Sequence, residues 1–225
     1  MVLLIVALAG FEWARLCRLQ GGAAWLYAAA MGFGFVALYN SEPRSVAFAL
    51  ATLFWVAVAT WWLRAGVQGR GLAVAGFLVL LPAGLAFAVL PPLELLLVLV
   101  FVWIADIGAY FVGRAWGRRK LAPSISPGKT WEGALGGTVS ALVYAIILAT
   151  FIEGFSWVPY LLAATLVAVL SIVGDLFESA AKRQAAVKDS GTLLPGHGGV
   201  LDRIDSATAA LPAAALLLPL VRGLP

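Results

Sequence analysis

The sequence predicts an all-α integral membrane protein, a polytopic bundle of about seven to eight transmembrane helices forming one domain over residues 1–225. Three observations carry that prediction. Charged residues make up only 12% of the chain, against roughly 25% in a soluble domain. The mean hydropathy is +0.99. Apolar stretches of near-spanning length recur from one end to the other, and a spanning helix needs roughly 20 mostly apolar residues.

Those stretches are about 1–17, 23–40, 46–63, 72–90, 94–113, 132–152, 157–176 and 207–222. The first begins directly on apolar residues with no basic residue before it, which argues against a cleaved signal peptide despite Ala7-Leu8-Ala9. It reads as a short first helix. Pro82 falls inside the fourth stretch and Pro212 and Pro219 inside the last, where neighbouring helices satisfy the backbone groups a proline frees. Cys17 is the only cysteine, so an internal disulfide and a thiolate metal cluster are both excluded.

With the N-terminus outside, the cytoplasmic segments hold Arg15, Arg18, Arg64, Arg70, Arg114, Arg118, Arg119, Lys120, Lys129, Lys182, Arg183, Lys188 and Arg203. The opposite side holds Arg44 and Arg222. Thirteen against two is a strong positive-inside asymmetry. It favours eight spans and puts both long polar loops, 114–131 and 177–206, on the cytoplasmic side. Trp61, Trp62, Trp131 and Trp157 fall at proposed span ends, where interfacial aromatics belong.

Chemistry is expected in those two loops and the helix ends around them. Asp106 is an intramembrane carboxylate, costly and therefore a site candidate, with helix packing as the plainer alternative. Gly108, Gly113 and Gly117 permit close helix approach. Ser124, Ser126, Lys129 and Thr130 are phosphate donors in a loop shaped by Pro123, Pro127 and Gly128. Gly128-Lys129-Thr130 is not a P-loop, because that motif needs a glycine at position 123 and a preceding buried strand. Arg114, Arg118, Arg119 and Lys120 read as a collar against anionic headgroups.

The second cluster begins at Asp175. Glu178 and Lys182 stand at i,i+4 and read as a surface salt bridge on a helix that continues past the membrane. Lys182, Arg183 and Lys188 put three cations within seven residues. In Pro195-Gly196-His197-Gly198-Gly199 the glycines let backbone approach a ligand, and His197, the single histidine, reads as a phosphate or nucleotide contact. Asp202 and Asp205 then flank Arg203 at i and i+3, one face of a starting helix. With Asp175 they offer oxygen ligands to Mg²⁺; helix capping accounts for one of the two, not both.

Together these segments resemble the phosphatidate cytidylyltransferase (CDP-diacylglycerol synthase) family. The resemblance rests on Ser179-x-x-Lys182-Arg183-x4-Lys188-Asp189-x-Gly191, on Pro195-x-His197-Gly198-Gly199-x-x-Asp202-Arg203-x-Asp205, and on Asp106-x-x-Ala109-Tyr110-x-x-Gly113. Ile125-Ser126-Pro127-x-Lys129-Thr130-x-Glu132-Gly133 extends it, so the catalytic region spans about 94–210. Relatives are often longer at the N-terminus. The resemblance implies condensation of CTP with phosphatidic acid to CDP-diacylglycerol and pyrophosphate, dependent on Mg²⁺, with K⁺ beside it in some members. It also implies a homodimer in a bacterial inner membrane, with membrane lipid and no nucleic acid as partners, and a polar cavity open to cytoplasm and lipid.

Carried residue by residue, Asp175, Asp202 and Asp205 become metal ligands. Lys182, Arg183, Lys188 and Arg203 screen the triphosphate, and Ser126 and Lys129 seat the lipid phosphate. His197, Gly198, Gly199, Thr130 and Asp106 complete the substrate contacts. Two other classes compete. A lipid or polyprenol kinase needs a base for a hydroxyl nucleophile, for which only His197 and Asp189 offer themselves. An ion-coupled transporter would place charge near the midplane and show repeats, whereas here the charge is cytoplasmic and no repeat is visible.

Overall fold

The computed structural model describes residues 1–66, 71–151, 156–191, 193 and 198–222. It is a helical bundle carrying one small hairpin. Helix α1 covers Val2–Leu16, α2 Gly22–Tyr39 and α3 Arg44–Leu53, which runs through a π-helical stretch, Phe54–Ala59, into α4, Thr60–Ala65. Then come α5 (Gly71–Val89), α6 (Pro92–Trp116), the strands β1 (Lys120–Ala122) and β2 (Ser126–Thr130), α7 (Trp131–Phe151), α8 (Trp157–Gln184) and α9 (Leu201–Arg222). Among the described residues, seven helical rods are long and apolar enough to cross a membrane, counting Arg44–Ala65 as one. At 15 residues α1 is about 22 Å long, short of the ~30 Å hydrocarbon thickness.

Close packing of α6 on α7 follows from small residues spaced four apart. A Cβ at Gly137 would stand 2.5 Å from the carbonyl oxygen of Ala105, and one at Gly133 2.8 Å from that of Ala109. Two backbones in contact are the usual answer to association in lipid, where burial of apolar surface gives no net drive. Helix α8 packs along α9, and α1 along α2.

The core gathers on Phe177 of α8, which is fully buried. Trp55 and Phe54 meet it edge-on at 5.4 and 5.8 Å, and Trp62 and Trp13 stack on it at 6.0 and 6.3 Å. These rings come from α1, the π-helical stretch and α4, so one residue of α8 locks three segments of the N-terminal half. Trp13 Nε1 donates to the Leu72 carbonyl at 2.9 Å and the Tyr27 hydroxyl to that of Ala73 at 2.6 Å, which satisfies the polar tips of both rings. Helix α1 is thus anchored by one buried face. Its face carries Glu12, only 1% exposed.

The hairpin was not foreseen. Its strands pair antiparallel, Lys120 with Thr130 and Ala122 with Ser126. Ile125 N–H closes the turn on the Ala122 carbonyl at 3.1 Å, and Trp131 N–H reaches that of Arg119 at 2.9 Å. The carboxylate of Glu132 accepts the backbone N–H groups of Arg118 and Arg119 at 3.0 and 3.1 Å, tying the hairpin to the first turn of α7.

Candidate active site

Three elements bring the site together. Asp106 lies on α6, Asp175 on α8 and Asp205 in the second turn of α9. All three line one cavity of about 500 Å³ with Ser126, Lys129 and Thr130 of β2 and with Tyr110 and Arg114 of α6. Lys129 reaches across from the hairpin to pair with Asp175, whose other oxygen accepts the Ser179 hydroxyl at 3.3 Å. Ser206 joins the remaining two carboxylates. Its hydroxyl stands 3.5 Å from Asp106 and its N–H donates to Asp205 at 2.7 Å. The Thr130 hydroxyl accepts the N–H of Gly133 at 3.1 Å, so it caps α7 while facing the cavity.

A second cavity of about 210 Å³ shares Asp106, Asp205 and Ser206 with the first. Arg203 stands at its polar end, and the rest is an apolar groove between α1, α5, α6 and α9 that includes Leu80, Phe87 and Leu211. A charged chamber and an apolar groove therefore meet at the same carboxylates.

Asp202 and Asp205 do not act as one pair. Asp205 faces the chamber, whereas Asp202 Oδ1 takes Lys182 at 2.7 Å and Oδ2 accepts the N–H groups of Ser190 and Gly199 at 3.0 and 2.8 Å. Asp175, Asp202 and Asp205 form no three-ligand cage among the described residues. The Glu178–Lys182 pair, expected at the surface, is buried: the two side chains stand 3.1 Å apart, 4% and 11% exposed. The i,i+4 spacing gave the pairing correctly, but this face of α8 turns toward α9, where Lys182 finds Asp202.

The other expected contacts are dispersed. Arg183 donates to the Ile125 carbonyl at 3.2 Å and the Val187 carbonyl at 3.2 Å, bridging the two polar segments. Lys188 is exposed and lines a separate polar recess with Arg15, Arg18 and Asp189. Gly198 has φ +82°, a conformation glycine adopts without penalty, and its neighbour Gly199 packs under the loop. His197 and Pro195 lie outside the described residues. Sequence reasoning missed Glu12 and Ser206. Glu12 was detectable as a carboxylate inside an apolar run; Ser206 carried no signal beyond its place after Asp205.

Apolar rods that bury a chamber of carboxylates and one paired lysine, open to an apolar groove, define an integral membrane enzyme. A profile of the cytidylyltransferase family matches residues 1–221, and the chain belongs to that family. It is 46% identical to a phosphatidate cytidylyltransferase of Pseudomonas aeruginosa, over 95% of this chain and 84% of that protein. A phosphatidate cytidylyltransferase of Brucella suis is 39% identical over 92% of this chain and 77% of its own length. One from Haemophilus influenzae is 52% identical, over 52% of this chain and 43% of that protein.

Proposed function

We infer that the chain transfers the cytidylyl group of CTP to phosphatidic acid, giving CDP-diacylglycerol and pyrophosphate. The observation that carries this reading is the junction of chamber and groove at Asp106, Asp205 and Ser206. The reaction needs a water-soluble triphosphate and a lipid phosphate at one point. The groove suits acyl chains, and the chamber, at ~500 Å³, falls in the size range of small-molecule sites.

In the transfer, an oxygen of the lipid phosphate bonds to the α-phosphorus of CTP while the bond to the bridging α–β oxygen breaks, and pyrophosphate leaves. The nucleophile is already an anion, so no base is required; the difficulty is bringing two anions together. Catalysis then rests on positioning and charge neutralisation. Lys129, held on the hairpin, and Arg114 face the chamber and supply cations to the phosphates. Arg203 at the groove's polar end meets the lipid headgroup.

The donor set also fits magnesium. The chamber offers carboxylate oxygens and no soft ligand, and Mg²⁺ is usually held by one or two carboxylates plus water and substrate phosphates. Asp175 and Asp205, which line the chamber, would hold it; Asp202, engaged by Lys182, Ser190 and Gly199, lies one turn back on the same helix start. An ion held there would supply charge neutralisation for the leaving pyrophosphate. Potassium beside it, and a homodimer, are carried over from the family resemblance; crosslinking in nanodiscs tests the second.

The cytoplasmic orientation is supported by the thirteen-to-two charge partition and by the ties Arg183–Ile125 and Arg18–Gln184, 3.2 and 3.0 Å, which gather three basic segments on one face. Arg222 and Glu94 pair at 2.6 Å between the last turn of α9 and the first of α6. Bacterial relatives support an inner-membrane location. The test is transfer of label from α-³²P CTP into chloroform-extractable lipid by purified protein. Label dependent on phosphatidic acid and Mg²⁺ supports the reading, and its absence from folded protein overturns it.

A further inference from the structure

Glu12 is the one buried residue of α1 that carries a formal charge, and it reaches the far end of the chain. Its Oε2 accepts the N–H of Leu201 at 2.9 Å and the hydroxyl of Ser190 at 3.0 Å, and its Oε1 accepts the N–H of Val200 at 3.0 Å. Val200 and Leu201 open α9, where the first N–H groups have no partner within the helix. A carboxylate is the favoured partner there, both as acceptor and against the positive end of the helix dipole. Helix α9 is therefore capped from another helix.

Ser190, Gly191 and Gly199 pack around the same group. A Cβ at Gly191 would stand 2.5 Å from Glu12 Oε1, and one at Gly199 2.5 Å from Oε2. Only glycine lets the backbone come this near. The Ser190 hydroxyl lies 3.0 Å from both Glu12 and Asp202 and, with one proton, donates to one of them at a time, standing between the carboxylates of α1 and α9. Through Asp202 the link continues to Lys182 and Glu178 of α8.

We propose that Glu12 is a positioning residue for the transfer site. It contacts neither the chamber nor the groove. By fixing the start of α9 it sets where Asp205, one turn on, stands in the chamber, and by seating Ser190, Gly191 and Gly199 it holds the residues that follow Lys188 and those that precede α9. Its effect on turnover rests on the cytidylyl-transfer reading; its hold on the loop does not.

Two readouts on the full-length protein test this. The first is kcat and KM for CTP of Glu12→Gln, whose amide presents N–H groups where the loop also presents N–H groups. We expect kcat to fall about 30- to 100-fold, the scale of a ~1 Å misplacement, with KM moved less than about threefold. The second is cleavage after Lys188 by a lysine-specific protease, expected to speed up about tenfold as the loop opens locally. Wild-type kcat per folded molecule with wild-type cleavage overturns the proposal, whatever happens to the melting temperature. Should Glu12→Gln not fold, Ser190→Ala keeps the two backbone contacts and removes the bridge. A three- to tenfold loss of kcat with faster cleavage then supports the proposal, and no change in either sinks it. If wild type transfers no label yet Glu12→Gln is cleaved faster, the function fails and only the hold of Glu12 on the residues after Lys188 stands.

Discussion

Lys182 Nζ lies 2.7 Å from Asp202 and 3.1 Å from Glu178, so a single ammonium joins α8 to the start of α9. Removing it leaves two carboxylates buried without their cation. Breaking a buried pair in this way costs about 3–5 kcal/mol, far more than losing a surface bridge. Lys182→Met should therefore lower thermal stability sharply in detergent, whereas a change of less than ~1 kcal/mol would mean the pair is hydrated.

Asp205 and Asp202 differ in what they touch, and their neutral variants should differ accordingly. Asp205→Asn should keep the loop closed and lose at least ~100-fold in turnover, the scale of losing one electrostatic stabiliser. Asp202→Asn should lose turnover too, and should also open the loop to cleavage after Lys188, because its partners there are Lys182, Ser190 and Gly199. Arg119→Ala serves as the control. Among the described residues the hydrogen bonds of Arg119 are made by its backbone, with Glu132 and Trp131, and its side-chain charge acts only on the partly exposed Glu132, so activity should stay within about twofold.

Close backbone contact makes the α6–α7 seam intolerant of bulk. Gly137→Val forces a methyl group toward the Ala105 carbonyl, a backbone atom that cannot swing aside. Overpacking of this kind costs about 1–3 kcal/mol. Because Ala109, Gly113 and Gly133 line the chamber, activity should fall with stability, and a variant as stable as wild type would contradict the packing described.

Burial pushes the Cys17 thiol from 9.0 up to about 12. Between those values the unfolded chain releases its proton first, so this group's contribution to stability is whole below pH 9.0 and is lost as pH rises toward 12. Labelling by iodoacetamide at pH 8.5 should be slow in folded protein and fast after denaturation. Rapid labelling of the folded form would show the thiol to be solvated.

The membrane spans were legible because apolar runs of fixed length have one reading in a chain this poor in charge. So was the chamber's membership: Asp106, Lys129, Asp175 and Asp205 announce themselves as charge set against apolar surroundings. What spacing could not give was direction. Glu178 and Lys182 paired as expected, yet which way their helix face turned depended on α9, so a surface bridge proved to be buried. Asp202 and Asp205 share a helix start, but the loop glycines and Lys182 draw one of them away from the other. The hairpin escaped because five residues containing Pro127 and Gly128 carry no strand pattern, and its register is set by Glu132 and by β1. Glu12 escaped because its partners lie at the other end of the sequence.

That last separation has a consequence for biosynthesis. The contact from Leu201 to Glu12 spans 189 residues, and the one from Ser206 to Asp106 spans 100. Contacts this distant form late, because the intervening chain must be made and its ends brought together first. During synthesis the Glu12 carboxylate of α1 is without its partners Ser190, Val200 and Leu201 until the intervening segments have been made. The chamber is lined by α6, the hairpin, α8 and α9, so it is complete only once α9 has joined them, and a ribosome-bound nascent chain lacking α9 should have no activity.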